Sequence, residues 1–507
     1  MKKISLVLAA LISSPAYAVD EITVYGEQTT LNFADPIQQS TVIESVDPTY
    51  TYNSGGTGGF TGWQNSGAQN IHTQVYRNGV PANEAGSGWD DFAHDIATGQ
   101  SVKVISGSNS VIYGSGSMAG TVLIDEIITP NTTVRLGSDE KFIVVAPTDN
   151  IQISHLDLTQ DSVRNDNDEK DDYTNTTGSV DFTVAGLNVL GSYTDYEYDY
   201  DQCYTAFWTT SNDCVQKGER FNVSISNDYF VVGKSVTETK YYTANDMTYK
   251  NKNTRDFARL YNTSMVGPVE VTYGVDGNRE TYGSETERNY GTFVSANYSG
   301  FNVGVRAGND DQDAVRVGYE RGLFFANAGT SYRKPNLYER FGDSWVSANP
   351  NLKPEEGVGY EVGYDGITLF RYDFDETISY DMMNAIYYNS GDYTTEGVKI
   401  RETFGNFYTV IKYINTEQPR VPEKSITLGY ENKGFSVSYT GNFDRAPSAY
   451  DGDSLNDIEK VDVSYEIQLG NQRVAFSVEN VLDDVDEFVP GYDTSGRNIT
   501  LTVQALF

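Results

Sequence analysis

Ile499-Thr500-Leu501-Thr502-Val503-Gln504-Ala505-Leu506-Phe507 closes the chain. Read as a β-strand, it places Ile499, Leu501, Val503, Ala505 and Phe507 on one face, because successive side chains point to opposite sides. A soluble edge strand carrying so apolar a face is an aggregation hazard. The last strand of a membrane barrel turns that face to lipid and ends on an aromatic ring. Working back from the end, the same alternation recurs between short turns. Val294, Ala296 and Tyr298 precede Ser299-Gly300, and Phe301, Val303 and Val305 follow it. Ile426, Leu428 and Tyr430 precede Glu431-Asn432-Lys433-Gly434, with Phe435, Val437 and Tyr439 beyond, and Val461 to Leu469 turns at Gly470-Asn471 into Val474, Phe476 and Val478. These are hairpin patterns. Alternation of this kind also suits a soluble sandwich or propeller, and the closing strand decides between them. The expected fold is all-β: residues 131–507 form a large antiparallel transmembrane β-barrel of about 22 strands. A lumen that wide leaks unless filled. Residues 27–130, richer in Gly, Ser and Asn and lacking a hairpin series, are read as a small α/β plug domain inside it.

Composition agrees. The 507 residues hold 38 Tyr, 23 Phe and 47 Gly against 6 Met and 3 His, usage that suits strands and tight turns. With 71 Asp and Glu against 36 Lys and Arg, the net charge is −35, which argues against nucleic acid as a partner. Residues 1–18 read as a signal peptide: Lys2 and Lys3, an apolar run from Ile4 to Ile12, then Ala16-Tyr17-Ala18 as the cleavage site. No later stretch is apolar for long enough to cross a membrane as a helix. Cys203 and Cys214 lie close together in an exported chain and are expected to form one loop-closing disulfide.

Several motifs resemble those of the TonB-dependent outer-membrane receptors. Gly107-Ser-Asn-Ser-Val-Ile-Tyr-Gly-Ser-Gly-Ser-Met-Ala-Gly-Thr-Val-Leu-Ile124 is similar to the signature near the end of that family's plug, and Val75-Tyr-Arg-Asn-Gly-Val-Pro81 to an earlier plug strand and turn. In the barrel, Tyr332 to Gly342, Asn349 to Glu355, Asn480 to Asp483 and Gly491 to Arg497 match in the family's order. One departure stands out: Ile71-His72-Thr73 occupies the place of the usual Ile-Arg-Gly. The resemblance implies a monomer in the outer membrane of a Gram-negative bacterium, in contact with outer-membrane lipid and coupled to the TonB inner-membrane complex. It also implies active transport of a scarce, bulky ligand with no covalent chemistry and no required cofactor. Residues 19–26 would be the coupling segment, with Glu21, Ile22, Thr23, Val24 and Tyr25 pairing as an added strand with the partner.

Cobalamin or another corrinoid is the ligand favoured by the compact chain and the Gly491–Arg497 ending, with a ferric siderophore as the alternative. Ligand contacts are expected from the plug apices: Trp63, Gln64 and Asn65 near Phe60, and Asn83, Trp89, Asp90, Asp91 and His94. Asp166, Asp168, Asp171, Asp172, Asp199 and Asp201 form a candidate calcium set in outer loops, as in cobalamin receptors, against the plainer reading of solvated acidic loops. His72 and His94 beside Asp91 and Asp95 form a weaker metal candidate. A passive porin would lack the coupling segment and the plug signature. An outer-membrane enzyme would need a positioned base, usually His, of which the barrel has only His155.

Overall fold

The computed structural model describes residues 28–33, 50–53, 57–89, 91–94, 100–161, 170–201, 203–204, 210–244, 246–309, 313–448, 455–485, 487–493 and 496–507. The signal-peptide and coupling-segment readings, Glu21 to Tyr25 included, lie outside these residues, as do Asp90, Asp95, Asp166 and Asp168.

Twenty-two antiparallel strands close into one barrel, beginning at Asn131–Gly137 and ending at Asn498–Leu506, which pair with each other through Thr502↔Arg135 and Val503↔Val134. Closure removes the free edges that would otherwise pair with other chains. The period-2 pattern places Thr500, Thr502 and Gln504 in the lumen, buried, and leaves Ile499, Leu501 and Val503 outward; Leu501 is 44% exposed and Thr500 2%. The same split recurs at Val134 and Leu136 against Thr133 and Arg135, so an apolar belt surrounds a polar interior, the inverse of a soluble core.

The hairpins fall where the alternation puts them. Tyr298 pairs with Phe301 and Val294 with Val305 across Ser299-Gly300, whose φ values of 50° and 88° are the positive pair that a tight hairpin turn requires. Lys433-Gly434 turns the same way, so the four-residue turn read at Glu431–Gly434 is two residues shorter, with Asn432 opposite Phe435. All ten connections at the end where the chain enters and leaves the barrel are two residues long, from Asp149-Asn150 to Gly470-Asn471. The opposite end carries the long connections, 162–169, 201–213, 334–354, 446–457 and 480–497, and strands that overrun the belt, such as Asp246–Val266 and Ile386–Phe404. Short turns with both termini mark the periplasmic end and long loops the outer end.

Inside lies a five-stranded sheet in the order Gln28–Phe33, Gln100–Ser106, Gly120–Glu126, Thr73–Arg77, Val80–Pro81. Thr73–Arg77 runs parallel to Gly120–Glu126 and the other pairs are antiparallel. Its core is Trp63, Val75, Val102, Val104, Val122 and Ile124. A Cβ on Gly120 would run into the Asn65 carboxamide, so the glycine that ends the plug signature is demanded by packing.

Candidate functional site

The plug is held in the lumen by two apolar clusters and a set of polar ties: Tyr76, Val80 and Val111 pack with barrel Val231, Phe257 and Phe293, and Ala68, Met118 and Ala119 with Phe370, Tyr372 and Ile414. Barrel side chains donate to its backbone carbonyls: Thr395 Oγ1 to Ser66 O (2.7 Å), Thr416 Oγ1 to Gly67 O (3.1 Å), Arg255 Nη1 to Pro81 O (3.0 Å), Arg259 Nη2 to Ile112 O (3.0 Å) and Asn336 Nδ2 to Ser87 O (2.6 Å). Arg316 reaches Asn109 in the signature loop. Where the wall must come closest it carries glycine: a Cβ on Gly304 would sit 2.9 Å from Val111 Cγ1.

The strongest tie is ionic and almost wholly buried. Plug His72 contacts Glu355 Oε2 through Nε2 (2.7 Å) and Tyr393 OH through Nδ1 (2.9 Å), and its ring stacks on Phe374 at 4.7 Å. Arg333 completes the cluster, donating to Glu355 from Nε (2.6 Å) and Nη2 (2.8 Å), and to both oxygens of Glu339 (2.9 and 3.0 Å). Glu339 is fixed by the short helix Leu337–Phe341, whose Asn336 cap and Glu339 satisfy each other's backbone donors. A second cluster links Asp276 with Arg306 and Arg259, and Arg259 reaches plug Tyr76 OH at 3.2 Å. Water replaces each neutral hydrogen bond of this interface at a net cost of about 1 kcal/mol and each bond to a charged group at about 1.5–3 kcal/mol.

Above the plug, on the loop side, the lumen is lined with aromatic rings. Tyr249 and Tyr282 exchange a hydroxyl contact (3.2 Å), Tyr282 packs on Tyr338 (5.6 Å), and Tyr338 on Tyr387 (5.8 Å). Burial first, with the nearby Asp343 charge adding to it, raises the phenol pKa of Tyr249 and Tyr338, so these rings remain neutral hydrogen-bonding surfaces. The plug contributes Phe60 and Trp89, edge to face at 5.6 Å, with Trp89 exposed. Its loop is anchored at this end by Tyr338 N donating to Gly86 O (2.8 Å).

A family model described as TonB dependent receptor-like, beta-barrel matches residues 20–481. The chain belongs to the TonB-dependent receptors. Its architecture is similar to that of a point mutant of the ferric enterobactin receptor PfeA from Pseudomonas aeruginosa in complex with enterobactin, at TM-score 0.67 and 13% identity over 96% of this chain and 100% of that one. The siderophore receptor PirA from Acinetobacter baumannii superimposes at TM-score 0.68 and 12% identity, over 95% and 98%. The copper transporter OprC gives 0.67 and 14%, over 97% and 100%. At such identities the likeness is one of fold. As a TonB-dependent receptor the protein is an outer-membrane transport barrel.

The structure separates the expected site residues of this receptor into two groups. Trp63, expected at the ligand, is instead buried against Phe92 in the plug core. Asn65 is fully buried. Asn83 is spent on the plug's own backbone, accepting from Val75 N (2.7 Å) and donating to Thr73 O (3.1 Å). His94 is buried, stacked on Tyr196 at 3.5 Å with Tyr173 OH at 3.1 Å. All four side chains are buried in this structure. Gln64 is partly buried, Trp89 is open, and Asp91 ties the plug to the wall through Arg220, which donates to Asp91 O at 2.8 Å.

Among the described residues neither histidine stands in a metal set: His72 is engaged by Glu355 and Tyr393, and His94 Nε2 lies 3.9 Å from Asp91. Within the acidic run, Asp171 and Asp201 are buried, and Asp172 accepts from Thr159 Oγ1 at 2.7 Å. Among the described residues no group of three or more His, Cys, Asp or Glu is arranged to hold an ion, and Asp199 belongs to none. Cys203 and Cys214 form a disulfide in an outer connection, Cα atoms 6.1 Å apart.

Sequence reasoning missed the tie of Arg333, Glu339 and Glu355, although all three lie inside the two barrel motifs that carried the family resemblance. Three charged residues inside those motifs were the available signal.

Proposed function

We propose that this receptor imports a ferric-siderophore type of chelate across the outer membrane, driven through TonB. The observation that carries the reading is the aromatic vestibule closed below by a plug held with exchangeable polar ties. A bulky ligand settles on the open rings, and force on the coupling segment Glu21–Tyr25 then shifts the plug, exchanging its polar ties for water and parting it from the apolar wall clusters around Phe257 and Tyr372. The whole-length likeness to ferric siderophore receptors supports iron chelates over the corrinoid first favoured. In the same reading Trp89, with Phe60, touches the ligand, and Gln64, Asp90 and Asp91 flank it. Calcium in the acidic outer loops plays no part in it.

Cells expressing the receptor should accumulate iron from a siderophore chelate and should not accumulate cyanocobalamin above cells lacking it. The reverse result would return the ligand to the corrinoids.

The tryptophans test the division of roles. Trp63→Ala empties the plug core and should cost about 3–5 kcal/mol of plug stability. Trp89→Ala should leave stability unchanged and weaken chelate binding several-fold. Hydrogen exchange of the plug and a binding titration read the two effects. Equal loss of binding from both variants with no change in exchange would reject the assignment.

A further inference from the structure

Charge at the outer end of the barrel is lopsided. The eleven outer connections between barrel strands carry twenty Asp or Glu against six Lys or Arg, while the ten periplasmic turns carry three acids and one base. Acids dominate 309–313, 446–457 and 480–497 in particular. A low-dielectric funnel rimmed by one sign of charge focuses that field along its axis, so it concentrates ligands of the opposite sign and repels those of its own.

The vestibule floor and wall repeat the bias at short range. Two cations near the aromatic cluster, Lys334 and Arg340, both lie on Glu287, at 2.7 and 2.8 Å. Arg255 is held by Glu280 (3.0 Å) and Arg220 by Asp91 (3.4 Å). Two carboxylates there have no cation partner among the described residues. Glu84, on the plug loop that presents Trp89, accepts only from Asn253 Nδ2 and Ser87 Oγ, both at 2.6 Å. Asp343 accepts from Trp345 N (2.7 Å) and Val346 N (2.9 Å) beside Tyr249 and Tyr338. Lys334 and Arg340 share one carboxylate while Arg255 and Arg220 each have their own, so with Glu84 and Asp343 these four cations face five carboxylates and the balance is one negative charge.

Resting on the siderophore reading, we infer that the chelate this vestibule takes is neutral or cationic, of the ferric tris-hydroxamate class, and that tris-catecholate chelates are excluded. The chemistry follows from ligand charge. Three hydroxamates, each monoanionic, neutralise Fe(III), and a pendant ammonium leaves the complex positive. Three dianionic catecholates leave it with three negative charges, which would meet the acidic rim on approach and Glu84 and Asp343 on docking. Tyrosine hydroxyls, as neutral donors, suit hydroxamate oxygens, whereas a trianion needs unengaged Lys or Arg to offset the loss of its hydration.

The test titrates the full-length protein in detergent, following tryptophan emission, with ferrioxamine B (cationic), ferrichrome (neutral), ferric enterobactin (trianionic) and cyanocobalamin, at low and high salt. The hydroxamate chelates should bind at least about tenfold more tightly than the catecholate. Salt should weaken ferrioxamine B binding, leave ferrichrome binding unchanged and improve whatever catecholate binding exists. Asp343→Asn and Glu84→Gln, which keep the hydrogen-bond acceptors, should narrow the gap by strengthening the catecholate. Ferric enterobactin binding as tightly as the hydroxamates would overturn the charge inference and leave the siderophore reading standing. Binding of cyanocobalamin alone, or of no ferric chelate, would overturn both.

Discussion

Replacing Arg333 by Met should destabilise the plugged barrel by about 3–5 kcal/mol, the usual result of removing one partner from a buried ionic cluster. The guanidinium sits between Glu339 and Glu355, all three nearly inaccessible to water, and His72 brings the plug into the same group. Without Arg333, two carboxylates remain buried in place, with Glu355 left to its contacts with His72 and the Ile378 amide. Either they protonate or the strand ends at Arg333 and Glu355 separate to admit water. The readouts are the fraction of protein recovered as the compact, heat-modifiable form and its urea midpoint in detergent. Adding Glu339→Gln and Glu355→Gln to Arg333→Met should recover more than half of the loss, because the neutral amides keep the Asn336 cap and the His72 contact without stranded charge. Wild-type stability in the single variant would show that the cluster contributes nothing, and the account of how the plug is seated would fall.

The second large effect lies at the other end of the plug. Deleting Glu21 to Tyr25 should abolish uptake in whole cells, to the level of cells without the receptor, while leaving chelate binding in detergent unchanged. An extended periplasmic segment that adds a strand to a partner supplies a row of backbone hydrogen bonds, a linkage that bears load along the chain. The contacts described for the vestibule and around His72 and Asp276 are all made by residues later in the chain, so affinity should not move. Loss of binding together with uptake would instead make the segment part of the plug's own folding.

What the sequence disclosed followed from period. The outward row Ile499, Leu501, Val503 and the inward row Thr500, Thr502, Gln504 fix the closing strand's faces, and the turns at Ser299-Gly300 and Gly470-Asn471 fix hairpin register. Barrel size and the presence of a plug then follow from length. Contacts between distant segments leave no such trace. Trp63 and Trp89 occupy similar Gly-rich surroundings in sequence, yet one is core and the other open, because only Trp63 falls beneath the strands carrying Val75 and Val122. His72 looked like a departure from the family's Ile-Arg-Gly. Its partner Glu355 is 283 residues away, so the pairing was invisible until the barrel closed. The same alternation separates neighbouring acids of the calcium candidate set. Proximity in sequence alternates between lumen and lipid faces in a strand, so neighbours such as Asp171 and Asp172 point to opposite sides, one buried and one exposed.

The central claim is that a bound ferric chelate crosses only when the plug is moved by the energised inner membrane. The most direct measurement is uptake of a radiolabelled ferric tris-hydroxamate by cells expressing the receptor, with and without a protonophore, alongside surface binding in the same cells. Binding that persists while uptake stops is the expected result. Uptake that continues after the proton motive force has collapsed would contradict the claim and make the barrel a passive channel.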